Sequence, residues 1–261
     1  ASSGICAIKK GKQIHCEAAS RGIMKKDIML GTALVDMYAK CGNITNAVDV
    51  FNQLSSKNVV SWNVLISGYS QYGIGDKALT CFKQMQEDGV TPDNVTCITM
   101  FLCCGMEESL REGMEIHHTV VKCGYDVDIA IQNAVVSMYG RCGLCMRAQQ
   151  LFDDLPSRDV ISWNALITGY VKHGNDVEAL ICFEQMQIEK IRPTVITFTC
   201  ALKACGNMGA VDKGEQIHDD MRSRDLLTGN IVLSTALLDM YAKCGVLVKA
   251  RQVLEVIPVW D

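Results

Sequence analysis

The sequence predicts an all-α fold, a solenoid of stacked helix-turn-helix repeats. Three observations predict it. First, TALVDMYAKCG at Thr32–Gly42 returns as NAVVSMYGRCG at Asn133–Gly143 and as TALLDMYAKCG at Thr235–Gly245, in steps of 101 and 102 residues. Second, the intervening stretches agree with one another. VVSWNVLISGYSQYG from Val59 matches VISWNALITGYVKHG from Val160, and GKQIH at Gly11 recurs as GMEIH at Gly113 and GEQIH at Gly214. Third, apolar residues recur at i, i+3, i+4, and only 4 prolines and 6% aromatic residues suit helices better than a sandwich of strands.

The elements follow in order. Residues 1–27 are the tail of one unit, marked by GKQIH. Residues 28–58 form a 31-residue unit. Its first helix carries the stripe Leu34, Met37, Tyr38, Gly42 fits the left-handed residue that ends a helix, and Ala47, Val50 and Phe51 mark the second helix. A 35-residue unit at 59–93 carries SWNVLISGY and CFKQMQ and closes on the turn GVTPD at Gly89–Asp93. Another of 35 at 94–128 carries GMEIH. The cycle restarts with 31 residues at 129–159, 35 at 160–194, 36 at 195–230 and 31 at 231–261. One helix pair cannot bury its apolar face alone, so neighbours must stack. No polar cap is evident at Ala1 or Asp261, which leads us to expect that the repeats continue.

Composition narrows the function. The 261 residues are 49% hydrophobic and 21% charged, as a folded chain requires. No apolar run reaches the roughly 18–20 residues of a membrane span, and no segment reads as a targeting peptide. The net charge of −4 counts against a generally basic nucleic-acid binder. Most of the 14 cysteines fall inside apolar helical patterns and read as reduced, buried, small apolar side chains. The other face of each first helix is polar. Thr32, Asp36 and Lys40 occupy unit positions 5, 9 and 13, repeated as Asn133, Ser137, Arg141 and as Thr235, Asp239, Lys243. The 35-residue units give Asn63, Ser67, Gln71 and Asn164, Thr168, Lys172. Stacked, these stripes form a ladder along one surface.

At this point the sequence resembles the pentatricopeptide-repeat proteins of the plant PLS type. The motifs are SWNxLIxGY with CFxQMQ (P units), GxxIH (L units) and ALxDMYAKCG (S units), and the match spans all 261 residues. The resemblance implies a right-handed superhelix that binds single-stranded RNA, one base per repeat, as in C-to-U editing or RNA processing in mitochondria or chloroplasts. It implies that the fifth and last residues of each unit read the base. The pairs are Thr32 with Asn58, Asn63 with Asp93, Asn133 with Asp159, Asn164 with Thr194, and Thr235 with Asp261. The L units offer Ile98 with Asp128 and Thr199 with Asn230; Ile98 cannot hydrogen-bond and departs from the pattern. A last-position Asp only accepts and suits guanine N1–H or uracil N3–H, whereas Asn also donates and suits adenine or cytosine. With fifth-position Thr favouring purines and Asn pyrimidines, the expected target is 5′-A-U-N-U-Y-(A)-G-3′. Position-2 residues Met29, Val60, Val95, Ala130, Ile161, Ile196 and Val232 would sandwich bases, and Lys40, Arg141, Lys172 and Lys243 would meet phosphates.

Several features are decoys. Cys142-Gly-Leu-Cys145 with His15-Cys-Glu17 mimics the HxE…CxxC of zinc deaminases. Yet Cys142 is the repeat equivalent of Cys41 and Cys244, and His15 of His117 and His218, so no metal or cofactor is expected. Trp62 and Trp163 read as packing rather than base stacking. No acid/base pair, nucleophile set or phosphate loop survives the repeat comparison, so the chain reads as a non-enzyme. Editing chemistry would need a deaminase domain or editing-factor partners. The alternative reading is a helical-repeat scaffold for protein partners.

Overall fold

The computed structural model describes residues 2–23, 27–104 and 109–256. Among them every regular element is an α-helix. The chain forms two compact units, residues 1–127 and 128–261. The first holds α1 (Ser2–Ser20), α2 (Ile28–Lys40), α3 (Ile44–Gln53), α4 (Val59–Gln71), α5 (Gly75–Glu87), α6 (Asn94–Cys103) and α7 (Leu110–Cys123). The second holds α8 (Ile129–Arg141), α9 (Cys145–Asp153), α10 (Val160–Lys172), α11 (Asp176–Ile188), α12 (Val195–Met208), α13 (Val211–Ser223), α14 (Ile231–Lys243) and α15 (Leu247–Val256).

Within each unit the packing is that of a solenoid. In the first, α2 packs on its partner α3 and on the next first helix α4, and α4 does the same with α5 and α6. In the second, α8 packs on α9 and α10, α10 on α11 and α12, and α12 on α13 and α14. The reversal inside a hairpin is set by glycine. Gly42 adopts φ +79°, and Asn43 N–H then reaches back to the Tyr38 carbonyl at 2.9 Å. Gly143 repeats this at φ +83°, with Leu144 N–H on the Tyr139 carbonyl at 3.0 Å. Only glycine enters this region without a Cβ penalty.

The recurring motifs face one another across the junctions. Phe51 meets Trp62 edge-on at 4.6 Å and 66°, and Phe152 meets Trp163 with the same two values. Both tryptophans are 2% exposed, so they pack between helices. Such a ring buries enough apolar area to contribute roughly 1.5–3 kcal/mol. His15 Nδ1 and the Tyr38 hydroxyl are hydrogen-bonded at 3.0 Å, and His218 Nδ1 and Tyr241 at 2.9 Å. A Cβ on Gly11 would lie 2.4 Å from Met37 Cε, and one on Gly214 2.6 Å from Met240 Sδ. GKQIH and GEQIH therefore each sit opposite the DMY of the 31-residue unit that follows. Cys41, Cys142 and Cys244 occupy the same place, the residue closing α2, α8 and α14.

Candidate nucleic-acid interface

Every first helix from α2 onward in the chain starts on a capping residue, which is the last residue of the unit before it. Asp27 caps α2, Asn58 caps α4, Asp93 caps α6, Asp128 caps α8, Asp159 caps α10, Thr194 caps α12 and Asn230 caps α14. An N-cap oxygen satisfies backbone N–H groups that the helix cannot, which fixes the side chain's direction. Four of these are capping boxes in which a hydroxyl three residues on returns a bond to the cap: Ser61, Thr96, Ser162 and Thr197. All four hydroxyl residues are fully buried.

In three units the cap places the last residue against the fifth. Asn63 Nδ2 donates to Asp93 Oδ1 at 2.9 Å, Asn133 Nδ2 to Asp159 Oδ1 at 3.1 Å, and Asn164 Nδ2 to Thr194 Oγ1 at 3.1 Å. The buried hydroxyl closes a triangle, with Thr96 donating to Asn63 Oδ1 and Thr197 donating to Asn164 Oδ1 at 2.6 Å. At Asp93 and Asp159 the bonds from the cap and the asparagine all fall on Oδ1. Oδ2 takes none of them and is left as an acceptor. Burial opposes ionisation of Asp93, but hydrogen bonds from the Thr96 backbone, the Asn63 side chain and the Thr96 hydroxyl outweigh it and hold its carboxyl below the usual value. The Thr32 hydroxyl and Asn133 Oδ1 are buried without a partner, a state that native proteins seldom leave unexplained.

Not every pair meets. The Thr199 hydroxyl turns back on its own helix and donates to the Val195 carbonyl at 2.8 Å, while Asn230 Oδ1 caps Leu233 N–H at 3.2 Å. Thr235 is exposed, and Asp261 lies outside the described residues. Ile98 is half-buried, and Asp128 Oδ1 accepts from Ala130 N–H at 2.8 Å.

Around the pairs lie exposed apolar side chains. Met29, Val60, Val95, Ile161, Ile196 and Val232 are each between 55% and 84% exposed, and Ala130 is exposed too. They stand two residues past each cap. The cations at position 13 are already engaged. Lys40 pairs with Asp36 at 2.7 Å, Lys243 with Asp239 at 2.8 Å, and Lys172 Nζ donates to the Arg141 carbonyl at 2.7 Å. Such exposed i, i+4 pairs are worth only about 0.3–0.5 kcal/mol, so a phosphate can displace the carboxylate. The sequence reading missed the buried Ser/Thr at unit position 3 and the capping role of the last residue. The signal was present as Asn58-x-x-Ser61 and Asp93-x-x-Thr96, the first part of a capping-box pattern.

Among the described residues no three His, Cys, Asp or Glu side chains are grouped to hold a metal ion. Burial pushes the Cys97 and Cys182 thiols up to about 12, which leaves them unreactive.

The PPR repeat family model matches residues 57–105 and 158–207, and the PPR repeat model matches 32–59, 133–160 and 196–226. Together they cover more than half of the sequence. The chain belongs to the pentatricopeptide-repeat family. Two relatives from Arabidopsis thaliana place this PPR chain among longer proteins. The chloroplastic pentatricopeptide repeat-containing protein At4g18520 is 34% identical over 252 residues, covering 97% of this chain and 40% of the relative. The mitochondrial At3g02330 is 32% identical over 251 residues, covering 96% of this chain and 28% of the relative. The PPR chain thus spans well under half the length of these relatives. The PPR10 crystal structure from maize superposes with a TM-score of 0.76 at 18% identity, over 94% of this chain and 35% of PPR10. PPR10 in complex with an 18-nt psaJ RNA element gives 0.74 at 17% identity. These likenesses show the helical-hairpin solenoid.

Proposed function

We propose that this PPR chain binds single-stranded RNA in a sequence-specific way, one base per repeat, without catalysing a reaction itself. The observation that carries the reading is the Asn63–Asp93 pair, which leaves Asp93 Oδ2 as an acceptor, with Val60 and Val95 exposed at position 2 of the two successive units. A base stacked between two aliphatic side chains would present its Watson–Crick edge to the pair. An ionised Asp93 accepts from uracil N3–H, and Asn63 selects the pyrimidine. The same logic assigns 5′-A-U-N-U-Y-(A)-G-3′ to the units from 28 to 261.

The S, P and L alternation supports a PLS-type array. Relatives named chloroplastic and mitochondrial support an organellar transcript as the target. Target choice for C-to-U editing or RNA processing follows, with deamination supplied by a further domain or a partner. A mobility-shift assay should show preference for an RNA containing AUNUYNG over a scrambled strand. Asn63→Thr should move its site from U toward G by about tenfold, since one base-edge contact discriminates by roughly 1–3 kcal/mol. Preference that stays with U, or equal binding of both strands, would remove the assignment, and binding of neither would favour a protein-binding scaffold.

A further inference from the structure

Between α11 and α13 of the second unit lies a cleft of about 750 Å³ with Lys190, Arg192, Lys213 and Arg224 on its walls. Four cations around one cleft are unexpected in a chain whose net charge is −4. Lys213 is held by Glu184 at 2.6 Å and Arg224 by Asp220 at 2.8 Å. Lys190 and Arg192 are exposed and take part in none of the described ion pairs. The remaining oxygen of Asp220, Oδ2, is shut from water and has no hydrogen-bond partner.

The repeats supply an internal control. At the matching places of the first 35-residue pair stand Gly89 for Lys190, Thr91 for Arg192, Glu112 for Lys213, Thr119 for Asp220 and Cys123 for Arg224. The fold of the junction therefore needs none of these charges. Lys190 carries a second anomaly. It sits at φ +59° where its counterpart Gly89 sits at +73°, so a side chain has been placed where the backbone favours glycine. Only one other non-glycine residue among those described has positive φ, Asp225 at +52°, next to Arg224.

We propose that this cleft binds a ribonucleotide through its phosphate. Lys190 and Arg192 contact the phosphate oxygens, Lys213 and Arg224, each with its carboxylate, stand beside them, and the cleft at about 750 Å³ has room for the nucleoside. The cleft is lined by residues of α11, α13 and the segments that follow them, and Pro193 in its wall directly precedes Thr194. The nucleotide is either free or part of an RNA strand turning around this edge. The inference does not depend on base reading by the repeats.

Titration of the purified chain with adenosine 5′-monophosphate by calorimetry tests it, with orthophosphate and adenosine as comparators. The expected result is saturable binding of the monophosphate, weaker binding of orthophosphate and none of adenosine. The variant Lys190→Gly with Arg192→Thr restores the residues of the first junction and relieves the strained φ. It should keep or raise the melting temperature and lower monophosphate affinity by about tenfold, the loss of one charge-assisted contact set. RNA affinity of the same variant separates the sources: a fall, with competition by the monophosphate, means a strand nucleotide, and no change means a free one. No saturable binding of the monophosphate, or equal binding by the variant, overturns the proposal. Loss of sequence preference in Asn63→Thr bears on the repeats alone.

Discussion

Asn63 and Asp93 are 30 residues apart in sequence and 2.9 Å apart in space, because one sits in the second turn of α4 and the other caps α6. The pairing was implied by the family resemblance alone; the capping that enforces it was not legible, since the cap serves the next helix rather than the pair. Glycines show the same limit. Gly169 in α10 and Gly75 in α5 look alike in sequence. A Cβ on Gly169 would lie 2.8 Å from Gly140 Cα, a backbone atom that cannot move aside. At Gly75 the nearest atom is 3.8 Å away. Gly169→Ala should therefore destabilise the chain by about 1–3 kcal/mol through overpacking. Gly75→Ala should be neutral or stabilising by up to about 1 kcal/mol. Urea denaturation of both variants decides the matter, and equal effects would contradict the close approach of α8 and α10.

At the scale of elements, the junction between α13 and α14 couples stability to pH. Burial lowers the pKa of His218, with Arg222 adding to the effect, and the ring is hydrogen-bonded to Tyr241. The native state therefore favours neutral imidazole, whereas the unfolded chain takes up a proton at about pH 6.5. The stability this contributes is full above about 6.5 and falls as the pH drops toward the depressed native value. His218→Gln should flatten that part of the stability profile, and an unchanged slope below pH 6.5 would refute the linkage. The GxxIH motif was visible in the sequence three times. Its partner, the tyrosine of the 31-residue unit, was visible too, but nothing in the spacing says that a histidine and a tyrosine 23 residues apart share a proton.

For the whole molecule the question is how a chain of charge −4 would hold the proposed polyanion. Lys40 and Lys243 sit beside Asp36 and Asp239, so phosphate binding must exchange one weak ion pair for another. Affinity should then fall steeply with salt. The slope of log K against log salt should shrink by about 0.7 in Lys40→Ala, the value for one phosphate on a single strand. An unchanged slope would show that Lys40 does not meet the backbone. The sequence by itself determined the helical repeats, their register and the polar face, because each copy must bury the same apolar surface against similar neighbours. Only the tertiary structure decided which oxygen of Asp93 the cap consumes and which it leaves. It alone gathered Lys190, Arg192, Lys213, Asp220 and Arg224 around one cleft. Periodicity reports what every repeat needs for packing. A site built from residues that depart from the repeat exists only where two different hairpins are brought together.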